Sequence, residues 1–460
     1  MASMKVLEDV GIIIRMKAAL QLLADTGASV DLETGIARIP TSLIEEGIKK
    51  APQEITLYSR DHRHDADLMG GKTYLHPTGG TIYVIDSGTG ESRQATIADL
   101  EEMARVVDVL ENIHLCAMIT FPNDIPPEVR DIYAAEIMLR FSSKHLLAPP
   151  YNSRNLNYII KLATTIVGDI RKLKKEPLIS IVVSPDSPLQ YSEEVVAMVI
   201  ESAKIGIPIS ILPTPLAGGT SPVTLAGTLV QLNAEILAGN LLAQLTNPGT
   251  PVTYSPRPTP MDMSVGTPSY GAIEYGMMSA ASVQLARHYG LPSDVGGFGT
   301  NSKMMDEQAA FEKALSGLLP ALAGTSLLDG AGLLEADMAS SLEQLVIDDE
   351  VSGMISRAVS GMDVGEETLA LDVIRRVGPR GHFLKEEHTR RYLRREHFIP
   401  VLFDRNARQS WQKRGGKSVS VLAKERVTEL LRRHEPAPLD KEIVTEFQLI
   451  LANAMKELVH

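Results

Sequence analysis

The feature that most constrains this chain is a serial alternation of apolar, strand-like runs with helical stretches, beginning near Thr96. Apolar runs occur at 113–120, 144–149, 178–184, 207–213, 251–255 and 326–329. They are short for helices and lack the polar alternation of a strand with one wet face. Helical patterns sit between them near 126–141, 153–168, 190–205, 222–245, 269–289, 303–319 and 341–360. Strands that are apolar on both faces need cover on both, and interleaved helices supply it around a parallel sheet. A poorer strand at 293–298 and a further one at 381–384 bring the number of units to eight. Such a series fits a (β/α)8 barrel of the TIM type better than an open doubly wound sheet. No GxGxxG fingerprint follows the first strand, which further weakens a dinucleotide-binding fold.

The flanks have a different texture. Residues 4–24 read as one amphipathic helix closed by Thr26-Gly27, followed by a helix at 41–50 after Pro40 and a strand at 55–59. Residues 72–95 read as a hairpin turning on Asp86-Ser87-Gly88-Thr89-Gly90. The predicted division is an α+β cap over 1–95, the barrel over 96–384, and a charged helical extension over 385–460, broken at Pro436-Ala437-Pro438. At the start of the barrel, Thr96-Ile97-Ala98-Asp99 is a helix-capping signal.

Charge and cysteine usage exclude several classes. A formal net charge of −12 with no long Lys/Arg run argues against a nucleic-acid partner. The densest basic patch, Arg390-Arg391-Tyr392-Leu393-Arg394-Arg395, reads as the solvated face of a helix in preference to a docking surface for an acidic partner. Cys116 is the sole cysteine, so no internal disulfide and no thiolate zinc cluster can form, and its default role is a small buried hydrophobe. His62-Arg63-His64-Asp65 lacks a third metal partner in register and reads as a surface loop. The 222–245 stretch is apolar almost all round, yet it holds Thr224, Thr228, Gln231, Asn233, Glu235 and Asn240. That composition suits a buried or intersubunit helix rather than a membrane span. With no signal-peptide plan at the amino terminus, the expectation is a cytoplasmic homo-oligomer without membrane contact.

Residues 326–343, SLLDGAGLLEADMASSLE, concentrate the chemistry. A buried strand stops at Asp329-Gly330-Ala331-Gly332, and three carboxylates, Asp329, Glu335 and Asp337, fall within nine residues. A strand ending in glycines and acids is what the active rim of an α/β barrel looks like. Acids that cap the next helix and face water explain the spacing equally well. Aromatics gather at the strand ends: Phe121, Tyr151, Tyr254, Phe298 and Phe383 mark five of the eight ends of a chain that is 5% aromatic. Aromatic faces with carboxylates suit a soft organic cation, although each ring alone reads as packing. Gly218-Gly219-Thr220-Ser221-Pro222 opens the long 222–245 helix and reads either as an anion site or as an ordinary helix start with Ser221 as N-cap.

Further segments carry a family resemblance over nearly the whole chain. They are Leu22-Leu23-Ala24-Asp25-Thr26-Gly27-Ala28-Ser29-Val30, Ala226-Gly227, Asn233-Ala234-Glu235-Ile236-Leu237-Ala238-Gly239 and Asn247-Pro248-Gly249-Thr250-Pro251-Val252. They continue in Ser302-Lys303-Met304-Met305-Asp306-Glu307-Gln308-Ala309, in Leu342-Glu343-Gln344-Leu345-Val346-Ile347-Asp348-Asp349-Glu350, and in Gly381-His382-Phe383-Leu384 with His388-Thr389. In order and spacing the chain resembles the trimethylamine methyltransferase superfamily, corrinoid-dependent enzymes with a barrel fold. The trimethylamine members carry pyrrolysine and this sequence does not, so it is similar to the non-pyrrolysine branch, which includes glycine betaine methyltransferases.

That resemblance implies demethylation of a betaine- or carnitine-like quaternary amine, the methyl passing to the Co(I) corrinoid of a partner protein. Neither a metal nor a tightly bound cofactor is then expected on this chain, and no residue is assigned as nucleophile. Asp329, Glu335 and Asp337 are expected around the ammonium with Tyr254, Tyr270 and Phe298. His382, or Gly219 and Thr220, are expected near an anionic end. The alternatives are a non-catalytic amine-binding protein, or a barrel methyltransferase that delivers methyl groups directly to tetrahydrofolate.

Overall fold

A computed structural model describes residues 1–77 and 79–459. Eight parallel strands, each followed by a helix, form its centre. The first four units are β1 (Tyr74–Pro77) and α1 (Ile97–Val109), β2 (Cys116–Ala117) and α2 (Arg130–Phe141), β3 (Leu146–Ala148) and α3 (Ser153–Val167), and β4 (Ile179–Val183) and α4 (Glu193–Ile205). The others are β5 (Ile209–Ile211) and α5 (Leu225–Thr246), β6 (Val252–Tyr254) and α6 (Ile273–Tyr289), β7 (Asp294–Gly296) and α7 (Glu307–Leu322), and β8 (Leu327–Ala331) and α8 (Leu342–Val359). The chain is an α/β protein.

Strands β2 to β6 pair in sequence order, with Cys116 opposite Leu146, Ile181 opposite Ile209 and Ile211 opposite Tyr254. A second sheet runs β7–β8–β1, pairing Asp294 with Leu327 and Leu327 with Tyr74. The two sheets touch at both edges. Tyr254 bridges Ser293 on one side, and Thr81 bridges Thr120 on the other. On that second side the His114 amide also donates to the Leu75 carbonyl at 2.7 Å.

Local chemistry explains several joins. Thr96 and Asp99 form the expected capping box at the start of α1. At the other end of α1 the buried ammonium of Lys144 donates to the Val107 carbonyl, which the helix end leaves without a partner, and to the carbonyls of Leu110 and Ile113 in the segment that follows. Burial pushes this lysine down to about 8.

Two sequence expectations need correction. Residues 381–384 form no strand; they are exposed. The eighth strand is instead β1, drawn from the segment expected to be part of a separate cap. It carries His76 and Pro77, which mask its strand character, and it leads into the expected hairpin of Tyr83–Ile85 with Ser92–Gln94. Nor do residues 4–24 form one helix. Gly11 sits at φ +86°, where a side chain would strike the Ala37 carbonyl, and the β-branched triplet Ile12–Ile14 pairs with Ile36–Arg38 before a helix restarts at Lys17–Asp25.

The all-round apolar helix is core over most of its length. Every residue from 232 to 244 in α5 is buried, and the N-terminal helix Thr41–Lys50 packs on it, with Gly47 against Leu241. Leu232, Ile236, Leu237, Leu241 and Leu242 each contribute roughly 1.5–3 kcal/mol by leaving water. Among the described residues no helix is long and apolar enough to cross a membrane.

The C-terminal helices fold back on this centre. Val419–Arg433 packs against α8 and α1, and Lys441–Leu458 against α2 and α3. The Glu350 carboxylate on α8 accepts the amides of Val401, Leu402 and Phe403 at 2.8, 3.1 and 3.3 Å. The Tyr158 hydroxyl of α3 donates to Glu457 at 2.6 Å.

Candidate functional site

A cavity of about 260 Å³ opens at the carboxyl ends of the parallel strands. It has two unlike walls. Ala117, Leu147, Val182 and Leu212 from β2 to β5 form an apolar wall, with the hydroxyl residues Ser184 and Thr214 beyond it. Opposite stand His76 from β1, Asp294 from β7, Asp329 from β8, Arg257 three residues past β6, and Tyr270 and Asp337 from the loops after β6 and β8.

Arg257 organises the charged wall. Its Nε donates to Asp329 Oδ2 at 2.6 Å and its Nη2 to Asp294 Oδ1 at 2.8 Å. Its Nη1 donates to the carbonyl oxygens of Asp294, Ser255 and Pro256 at 2.5, 3.1 and 3.2 Å. Burial opposes the guanidinium charge, but the two aspartates outweigh it and hold Arg257 protonated. Burial likewise raises Asp294, yet Arg257 and His76 outweigh it and keep this carboxyl ionised.

His76 continues the network, with Nε2 3.1 Å from Asp294 Oδ1 and Nδ1 2.8 Å from the Pro77 carbonyl. Both partners are acceptors, so both ring nitrogens serve as donors in the protonated ring. Burial alone would favour neutral imidazole; the Asp294 charge reverses that and raises His76 above its ordinary value.

Asp337 differs from the other two acids. Its Oδ1 is buried and has no hydrogen-bond partner. Burial first, and the Asp329 charge second, push this carboxyl up to about 7, with Lys313 and Arg257 offsetting only part. The backbone that delivers it is unusual: Glu335, Ala336 and Asp337 stand at φ +55°, +53° and +66°, three consecutive non-glycine residues in the left-handed region. Each costs roughly 1 kcal/mol or more, strain of the kind that collects at functional sites. The Glu335 and Ala336 amides hold the turn by donating to the Ser302 and Thr300 carbonyls at 2.8 and 2.9 Å.

Asp329, Asp337 and Tyr270, of the residues expected from sequence, line this cavity. The others do not. Glu335 belongs to the supporting turn. Tyr254 is fully buried on the outer face of β6, its hydroxyl donating to Asn233 on α5 at 3.0 Å. Phe298 is fully buried near Lys313, whose ammonium lies 5.9 Å from the ring centre. His382 is exposed in the segment after Leu371–Val377. Gly219 and Thr220 lie in a turn whose amides are already used: those of Gly219, Thr220 and Ser221 donate to the Leu216 carbonyl, and that of Gly218 to Ser221. The helix itself begins later, at Leu225. A set of free N–H groups for an anion is therefore not formed there.

Sequence reasoning passed over His76, Arg257 and Asp294. The signal for two of them was present: an arginine three residues beyond a buried strand, and an aspartate inside one, both demand a buried partner. Among the described residues no group of three or more His, Cys, Asp and Glu is placed to hold a metal ion.

Comparison with known proteins agrees with this picture. The family model described as trimethylamine methyltransferase (MTTB) matches residues 1–458. A trimethylamine methyltransferase of Desulfitobacterium hafniense is 36% identical over 456 residues, covering 99% of this chain and 92% of its own. A glycine betaine methyltransferase of the same species, strain Y51, is 33% identical over 460 residues, covering 99% and 95%. In fold, the chain resembles the monomethylamine methyltransferase of Methanosarcina barkeri, with a TM-score of 0.51 at 12% identity over 96% of this chain and 86% of that one. The chain belongs to the trimethylamine methyltransferase (MTTB) family.

Proposed function

We propose that this chain demethylates a quaternary amine and passes the methyl group to the Co(I) corrinoid of a separate protein. The observation that carries the reading is the Asp337 carboxyl, buried without a partner at Oδ1 and facing an apolar wall across a small cavity. An unpaired buried acceptor is costly, and a permanent cation relieves that cost. The N-methyl groups then rest on Ala117, Leu147, Val182 and Leu212, while Tyr270 offers an aromatic ring.

The chemistry asks little of this chain beyond placement. A quaternary nitrogen is already positive, so the departing tertiary amine leaves neutral and needs no proton donor. A Co(I) corrinoid would supply the nucleophile, so no residue of this chain is assigned that role. What remains is to aim one N–methyl outward and clamp the rest. A fixed negative charge would hold the cationic reactant better than the uncharged product and so raise the barrier. A carboxyl poised near neutrality, as Asp337 is, lessens that penalty.

In this reading the eight strands close into a (β/α)8 barrel, capped by residues of the first 95 and wrapped by 385–460. The corrinoid stays on its partner, because a macrocycle exceeds a cavity of about 260 Å³. A cytoplasmic setting follows from the reducing conditions that Co(I) needs. Exposed Phe311, Leu315 and Leu322 on α7, with Ile273 and Met277 on α6, support a homo-oligomer. A methylated amine as the substrate class is supported by the resemblance and by the glycine betaine methyltransferase relative.

Mixing the protein with a corrinoid protein reduced to Co(I) and a panel of amines tests the reading. Methyl-Co(III) absorbance with at least one quaternary amine is expected. If none gives it while one raises the melting temperature, the non-catalytic binding reading replaces this one.

A further inference from the structure

The charges around the cavity also bear on which quaternary amines it takes, an inference that rests on the methyltransferase reading and narrows it. The lining, over the described residues, holds two cationic side chains, and both are already ion-paired. All three nitrogens of Arg257 are engaged, with Asp329, Asp294 and backbone carbonyls. Both ring nitrogens of His76 are engaged, with Asp294 and the Pro77 carbonyl. A ligand carboxylate that drew on either would compete with a buried aspartate for its counter-charge. It would also enter a wall that already carries Asp294, Asp329 and Asp337. The lining side-chain atom that is buried without a partner is itself an acceptor, Asp337 Oδ1. Sites that lack a complement for a group reject it strongly when it must be desolvated. The uncharged polar side chains offered elsewhere in the lining are hydroxyls, those of Ser184, Thr214 and Tyr270.

We infer that the cavity selects monocationic quaternary amines whose remaining substituent is neutral, alkyl or hydroxyalkyl, over zwitterionic betaines. Asp337 faces the ammonium, the β2–β5 wall takes the N-methyl groups, and Ser184 or Thr214 meets a substituent hydroxyl. This departs from the betaine- or carnitine-like substrate that the resemblance implies.

Isothermal titration of the full-length protein with tetramethylammonium, choline, glycine betaine and carnitine decides the matter. Choline or tetramethylammonium is expected to bind at least tenfold tighter than either zwitterion. Asp337→Asn is expected to cost choline at least tenfold while leaving glycine betaine unchanged or tighter, since one repelling charge has gone. Glycine betaine or carnitine binding as tightly as choline to the wild-type protein overturns the inference, whatever the variant does. Tight choline binding without methyl-Co(III) formation leaves the selectivity standing and removes the transfer reading instead. Binding of none of the four removes both.

Discussion

Lys313 Nζ and Asp348 Oδ2 stand 2.9 Å apart, both fully buried, and together they fasten the turn that follows Asp329. The ammonium also donates to the carbonyls of Phe298 and Gly330 at 2.8 and 3.1 Å, and the carboxylate accepts the Gly332 amide at 2.8 Å. Gln344 occupies the other carboxylate oxygen at 2.8 Å. Removing one partner of such a pair strands a buried charge, at about 3–5 kcal/mol. Lys313→Met is therefore expected to lower unfolding stability by that amount in urea titrations. Lys313→Met with Asp348→Leu should recover most of it. A double variant as unstable as the single one would show that the pair does not act as a unit.

The pH behaviour follows from Asp337. Its folded value lies near 7 against about 3.9 for an unfolded aspartate. Between those values the native state keeps a proton that the unfolded chain has lost, so this group's contribution to stability falls as pH rises through that window. Asp337→Asn is expected to flatten the decline between pH 5 and 8 in thermal melts. Cation binding runs the opposite way, because the ionised carboxyl is the better host. Affinity for a quaternary amine should rise from pH 6 to pH 8 in the wild-type protein and stay level in the variant.

Ala336 sits at φ +53° between two other left-handed residues. Glycine adopts that geometry without the clash that costs an L-residue roughly 1 kcal/mol. Ala336→Gly is predicted to raise stability by about 1 kcal/mol, visible in the melting temperature, and to weaken amine binding by loosening the turn that aims Asp337. A variant that gained stability with affinity intact would separate the strain from the site.

Gly239 faces Tyr191, and a methyl group there would overlap the phenol oxygen that donates to the Glu235 carbonyl at 2.9 Å. Both residues are buried between α5 and the strand Gln190–Tyr191. Gly239→Ala is expected to cost about 1–3 kcal/mol by overpacking, measured by denaturant unfolding.

What the sequence revealed depended on how plainly each element advertised its burial. Strands such as Ile179–Val183 are continuous apolar runs, and the alternation with helices exposes them at once. β1 was hidden because Tyr74-Leu75-His76-Pro77 places a histidine and a proline where apolar residues are expected, and because its partner β8 lies some 250 residues away. The aromatic strand ends misled for a simpler reason. Successive side chains on a strand point to opposite faces, so Tyr254 turns towards α5 while Thr253 and Ser255 stay with the hydroxyls within the sheet. Counting residue types at strand ends without that parity cannot tell a pocket from a helix contact. The acids after β8 were legible as a cluster. That Asp337 faces the cavity and Glu335 braces it is decided by three φ angles that no composition records.

The placement of β1 next to β8 also sets an order of events during synthesis. Residues 74–77 leave the ribosome early, but the strand they pair with ends at Ala331. Until more than 250 further residues have been made, one side of β1 is an open edge, a template for wrong pairings with other chains. Nascent chains arrested before residue 327 should therefore aggregate or bind chaperones, and release of the block past residue 331 should end that exposure. For the same reason the first 95 residues cannot be removed as a detachable module, since the edge they would abandon is that of the strand carrying Asp329.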